Sequence, residues 1–129
     1  MAKRMSINLD GFSHTNPIPV ASRVGNIVMS GSIIPRDPKG KSPETLDEQC
    51  ALMFQYVREV MSKAGGSPED IVKVSVAMQD ASKRDVLNKH WVAMFPDAEA
   101  RPARHTETKP LNPGVLVQCE ITAVIEPRK

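Results

Sequence analysis

The chain has 129 residues, 40% of them hydrophobic and 25% charged, the length and composition of one soluble globular domain rather than a multidomain assembly, a disordered tail or a collagen-like fibre. Its formal net charge of +2 and its 4% aromatic content supply neither the electrostatic attraction nor the stacking platforms on which nucleic-acid binding rests, so no nucleic-acid partner is expected. A domain this small buries only about two-thirds of its unfolded surface, so a sizeable ligand pocket would compete with the core for side chains.

Residues Met1–Met5 begin with charge, as a leader peptide does, but Asn8, Asp10 and His14 interrupt any apolar core that could follow. No stretch approaches the roughly 20 apolar residues of a membrane span. The chain reads as cytoplasmic and soluble, with no membrane partner. Residues 5–9 form a candidate edge strand. Pro17 and Pro19 lead into a strand over Val20–Val24, Gly25-Asn26 makes a turn, and Ile27–Ile34 continues as an apolar run, which together predict a hairpin. Pro35, Asp37, Pro38 and Gly40 form the next loop.

The first helix is predicted from Ser42 as N-cap with Pro43 at the first helical position. Leu46, Cys50, Met53, Val57, Val60, Met61 and Ala64 form a one-sided apolar stripe, and Gly65-Gly66 ends it. Ser67-Pro68-Glu69-Asp70 is a turn with cap chemistry, followed by a strand over Ile71–Met78. A second helix is predicted from Ser82, with Asp85 as a capping-box partner. It carries Leu87, Trp91, Met94 and Phe95 on one side and stops before Pro96. Strands over Pro102–Thr108 and Val115–Ile125 follow, joined by a turn through Pro110, Asn112, Pro113 and Gly114.

The order β-β-β-α-β-α-β-β predicts an α+β fold, a single domain over residues 1–129 with one mixed sheet and both helices on the same face. Two helices cover one face only. In the last strand Val115, Val117, Cys119, Ile121, Ala123 and Ile125 alternate onto the helix side, leaving Leu116, Gln118, Glu120, Thr122 and Val124 on the other. That mixed face suits a subunit interface, and a symmetric oligomer is expected. Cys50 and Cys119 fall inside apolar patterns and read as free thiols behaving as small hydrophobes.

Two residues carry candidate chemistry. Glu120 interrupts an otherwise apolar strand, either as an interface ion pair or as a carboxylate that holds and activates a water. Arg104, in the strand before it, is either a surface ion-pair partner or a bidentate clamp for a substrate carboxylate. If the intervening turn pairs these strands as a hairpin, Arg104 and Glu120 share the mixed face. His14, His90 and His105 lack metal-ligand spacing, and no Cys-x-x-Cys or His-Glu-x-x-His occurs, so no metal is expected. His105 alternates away from Arg104 and reads as structural or exposed. Met78 and Met94 read as core filler, and Lys3-Arg4 and Lys83-Arg84 as solvated charge.

Taken together, the chain resembles the RidA (YjgF-type) family of enamine/imine deaminases over nearly its whole length. The resemblance is carried by Val24-Gly25-Asn26 with Ser30-Gly31, by Ala64-Gly65-Gly66, and by Ile71-Val72-Lys73-Val74 leading to Asp80. It continues in Asn88 with Trp91 and Phe95, in Pro102-Ala103-Arg104, and in Val117-Gln118-Cys119-Glu120-Ile121. It implies a chorismate-mutase-like α+β domain that forms a homotrimer, with ligand sites in the clefts between subunits. It further implies that Arg104 binds the substrate carboxylate, that Glu120 positions the water, and that Gly31, Ile18, Ser32, Asn88 and Thr106 line the substrate pocket. The implied reaction is hydrolysis of 2-aminoacrylate-type enamines, through their imines, to 2-oxo acids and ammonia, without metal or cofactor. The chain departs from the family at Pro17-Ile18-Pro19, where Pro-Tyr-Ser is usual. It departs again at Ser30-Gly31-Ser32-Ile33-Ile34-Pro35, one residue longer than usual, and at Thr106, where cysteine is frequent. The alternatives are a non-catalytic, small-carboxylate-binding or regulatory trimer, and an RNA-directed activity that the near-balanced charge disfavours.

Overall fold

Gly25 lies at φ +57°, a left-handed conformation that glycine adopts freely, and with Asn26 it closes the first hairpin. The computed structural model describes residues 3–127; Met1 and Ala2 of the N-terminal reading, with Arg128 and Lys129, lie outside the described residues. The hairpin joins β2 (Ala21–Val24) to β3 (Ile27–Ser30), and β1 (Met5–Ile7) pairs antiparallel with β2 at the sheet edge. β3 stops at Ser30 instead of running to Ile34. The Ser30 hydroxyl accepts the Ile121 N–H (2.9 Å), and the chain rejoins the sheet only through a bridge between Ile33 and Cys119.

Helix α1 (Leu46–Ala64) is capped by Thr45, not Ser42. Thr45 Oγ1 accepts the Glu48 N–H (3.1 Å) and donates to Glu48 Oε1 (2.8 Å), a Thr-x-x-Glu pairing that Ser42 has no glutamate to form. Gly65, at φ +91°, ends the helix as expected. Strand β4 (Ile71–Met78) follows a 3₁₀ turn over Pro68–Asp70. Helix α2 (Arg84–Met94) starts two residues later than the Ser82 reading, after a 3₁₀ turn over Ala81–Lys83 that Asp80 caps. Its Oδ1 accepts both the backbone N–H (3.0 Å) and the hydroxyl (2.6 Å) of Ser82, so that hydroxyl is already engaged.

The last two strands are β5 (Ala103–Thr108) and β6 (Val117–Val124), and they do not form a hairpin. The sheet order is β1-β2-β3-β6-β4-β5: β6 lies antiparallel between β3 and β4, and β5 runs parallel to β4 at the far edge. The connection wraps the end of β4, where Lys109 N–H donates to Met78 O (2.9 Å) and Gln79 N–H to Leu116 O (3.0 Å). Burial explains the choice. Val117, Cys119, Ile121 and Ala123 of β6 are buried under the helices, a place for a central strand, whereas the Arg-His-Thr-Glu sequence of β5 is tolerable only at an edge. α1 and α2 pack side by side on one face of this mixed sheet, tied by Lys89 and His90 of α2 to Asp47 of α1. The core fills the space between, around Val28, Met53, Val57, Val74, Met78, Leu87 and Ile121.

Candidate functional site

Residues directly opposed on neighbouring strands point to the same side of a sheet. Ser75 of β4 is opposed by Glu120 on one side and by His105 on the other, so these three form a row on the open face. Val74 is likewise opposed by Ile121 and Arg104; Val74 and Ile121 are buried, so Arg104 belongs to the helix side. Arg104 and Glu120 of one subunit therefore lie on opposite faces. The hairpin that would have placed them together is prevented by β4, which intervenes.

On the open face a small cavity of about 70 Å³ is lined by Ser32, Ser75, His105, Glu107, Gln118 and Glu120. A larger one of about 350 Å³ adjoins it, with Ser32, Lys109 and Gln118 lining both and with His14, Ile18 and Arg36 on its other walls. Gln118 Nε2 lies 3.4 Å from Ser32 Oγ, and a Cβ on Gly31 would come 3.9 Å from His14 Nε2. Ile18, Gly31, Ser32 and Glu120 thus gather on one side of the molecule.

His14 and Arg36 were not singled out as site residues. His14 Nε2 is buried and has no hydrogen-bond partner among the described residues. Burial first, and the nearby Arg36 guanidinium second, lower the His14 pKa from its ordinary 6.5, opposed by a backbone hydrogen bond with Ser32. Arg36 is held by Ser13 O (3.0 Å from Nη2) and by the Phe12 ring, 5.2 Å from guanidinium to centroid. The two residues come from loops on either side of the first hairpin, so no spacing along the chain marks them as neighbours. His105, read as structural or exposed, is indeed exposed; its Nε2 lies 3.5 Å from Glu107 on the face that carries Glu120.

The other half of the expected site lies where α2 covers β5. The Arg104 guanidinium stacks over Trp91, 4.9 Å from the ring centroid, a cation–π contact. Thr106 follows on the same side of β5, and Asn88 lies one helical turn before Trp91; both are half-buried. Burial, with a lesser contribution from Arg84, makes the Arg104 charge less favourable and lowers its pKa. Among the described residues no carboxylate lies within 4.0 Å of Arg104. A half-buried, uncompensated guanidinium favours an anion, and its planar fork fits a carboxylate.

Neither cysteine is available for chemistry. Both are buried, and burial raises their pKa values, that of Cys50 to about 12. Among the described residues no group of three or more His, Cys, Asp or Glu is placed to hold a metal ion, and no helix is long and apolar enough to cross a membrane.

A family model described as Endoribonuclease L-PSP matches residues 15–125. The chain is 35% identical over 101 residues to a RutC family protein of Aquifex aeolicus, covering 78% of this chain and 81% of the relative. It is 31% identical over 104 residues to a protein of Salmonella typhimurium named 2-iminobutanoate/2-iminopropanoate deaminase, with the same coverage. The crystal structure of RidA from an Antarctic Psychrobacter superimposes with a TM-score of 0.85 at 29% identity, covering 94% of this chain and 99% of that one.

Proposed function

Because the chain belongs to the Endoribonuclease L-PSP family, the RidA (YjgF-type) family, we propose that it is an enamine/imine deaminase acting on small 2-imino acids, and that it works as a homotrimer. The observation that carries the reading is the half-buried Arg104 guanidinium, left without a carboxylate at the edge of the sheet. The separation of Arg104 from Glu120 is accommodated by a site shared between subunits. The β5–α2 edge of one protomer, with Arg104, Asn88 and Thr106, closes over the open-face cavity of its neighbour, which brings Ile18, Gly31, Ser32 and Glu120.

The chemistry then follows from charge and position. Arg104 takes the substrate carboxylate in a bidentate contact and neutralises it, which leaves the imine carbon more electrophilic. Glu120 accepts a hydrogen bond from a water and draws off its proton as the oxygen bonds to that carbon. The resulting carbinolamine takes up a proton on nitrogen and breaks its C–N bond. The products are one 2-oxo acid and one ammonia for each water consumed. An imine carbon is already electrophilic, so neither metal nor cofactor is called for.

The test is ammonia release from freshly generated 2-iminobutanoate. Arg104→Gln is expected to lower kcat/KM about 100-fold, the scale of a lost charge-assisted contact, while the oligomer persists. Glu120→Gln is expected to lower kcat. Undiminished turnover by the Arg104 variant would remove the clamp. A wild-type trimer that binds 2-oxo acids but never speeds ammonia release would be a carboxylate-binding, regulatory member instead.

A further inference from the structure

Arg104 is not the only cation at its edge of the molecule. Thr108 Oγ1, at the end of β5, accepts the Ala81 N–H (3.0 Å) just ahead of α2, whereas the Arg104 guanidinium lies over Trp91 near the other end of that helix. β5 and α2 therefore run in opposite directions along each other. Arg84, the first residue of α2, stands at the Thr108 end, with Asn88 one turn further on and Trp91 after it. The Arg84 Nε donates to Ala81 O (2.9 Å), which anchors the head group and leaves its Nη nitrogens available. Arg84 and the Trp91 under Arg104 are seven residues apart on α2, about 10 Å along its axis, and among the described residues neither guanidinium has a carboxylate within 4.0 Å. Lys83-Arg84 reads in sequence as solvated charge; Arg84 is exposed, but its position along α2 gives that charge a direction.

We propose that Arg84 is a specificity-determining residue, binding the second carboxylate of a dicarboxylic 2-imino acid whose first carboxylate is held by Arg104. This rests on the clamp reading of Arg104 and narrows the substrate class to imines derived from acidic amino acids. Such an imine carries one anionic group at each end of a short carbon chain, one for each of two anchored cations on the same edge. A monocarboxylic substrate would make no use of Arg84. An enzyme that oxidises the amine of an acidic amino acid is the class of reaction that would supply it.

Trp91 is the single tryptophan of the chain and lies under Arg104, so its fluorescence reports occupancy of this edge without any need for turnover. The experiment titrates the intact protein with 2-oxoglutarate and with 2-oxobutanoate, and repeats both titrations on Arg84→Gln and Arg84→Lys. The wild type is expected to bind the dicarboxylate at least tenfold more tightly, Arg84→Gln to bring that ratio close to one, and Arg84→Lys to restore part of it. Equal wild-type affinities, or a ratio that survives Arg84→Gln, would overturn the proposal. So would an Arg84→Gln variant that keeps the ratio but dissociates into smaller species, because Arg84 would then be an intersubunit ion-pair partner. Ammonia release from the imines of the same two carbon skeletons is measured alongside. Selective, Arg84-dependent binding without ammonia release would sink the hydrolase reading and leave the dicarboxylate site standing.

Discussion

His14 sits against the Phe12 ring, 5.0 Å between centroids, and shares its cavity with Arg36 and Lys109. Protonating it would bury a second charge beside a guanidinium, which is why the fold lowers its pKa. In the unfolded chain the imidazole takes up its proton near the ordinary 6.5, before the folded state does. Stability is therefore unaffected by His14 above that pH and falls as the pH drops below it, levelling off only under the folded pKa. Thermal melts of wild type and His14→Gln at pH 7.5 and 5.5 check this, since the window lies above most carboxylate titrations. The wild type is expected to lose more of its Tm than the variant; equal losses would show that His14 is not the group responsible. At this scale residue type and pattern singled out Arg104 and Glu120 as candidates, because a guanidinium in one strand and a carboxylate in an apolar strand stand out locally. His14 and Arg36 did not stand out, because what distinguishes them is each other.

Among the elements, α1 holds the clearest buried polar group. Gln49 is fully buried on the helix flank; its Nε2 donates to Pro43 O and Gly114 O (2.8 Å each), and its Oε1 accepts the Leu116 N–H (2.8 Å). It fastens the start of α1 to the chain entering β6, and so helps hold β6 in the middle of the sheet. Gln49→Leu would leave two carbonyls and one N–H without partners, and a cost of about 2–3 kcal/mol is expected. Urea denaturation checks this against Gln55→Leu on the exposed side of α1, expected to change stability by less than about 0.5 kcal/mol. A polar residue beside an apolar stripe ordinarily faces water, so nothing local distinguishes Gln49 from Gln55. The cap of α1 was likewise ambiguous. Ser42 and Thr45 are three residues apart, and only Thr45 has Glu48 in place to complete the pair.

For the whole molecule, the open face of the sheet divides into two regions. Ile27 (53% exposed) and Met29 (56% exposed) of β3 stand beside Val124 and Thr122 of β6 in an apolar region, while Ser75, His105, Gln118 and Glu120 form a polar one. An apolar patch beside a polar cavity suits an interface with a site at its margin. Met29→Glu would place a carboxylate in the apolar part, and sedimentation is expected to show the proposed trimer giving way to a species near 14.2 kDa. A wild type that sediments as a monomer at micromolar concentration would remove the shared-site reading altogether. The proposed shared site would also relieve the competition between core and pocket expected of so short a chain, because each protomer would supply only half of the pocket.

Local order was legible because it rests on neighbours along the chain. The Gly25 turn, the apolar stripe and Gly65 stop of α1, the limits of β4 and the alternation in β6 all follow from contacts a few residues apart. Alternation settles which residues within one strand share a side. It does not settle how the sides of two strands correspond, because that depends on which strands pair and in what register. Only the tertiary structure decided that β6 enters the sheet between β3 and β4, driven by the burial of its apolar side beneath the helices. With that placement and register Arg104 falls on the helix side against Trp91, away from the open face that alternation gives Glu120. The two residues that stand out in the sequence thereby lie on opposite faces of the sheet.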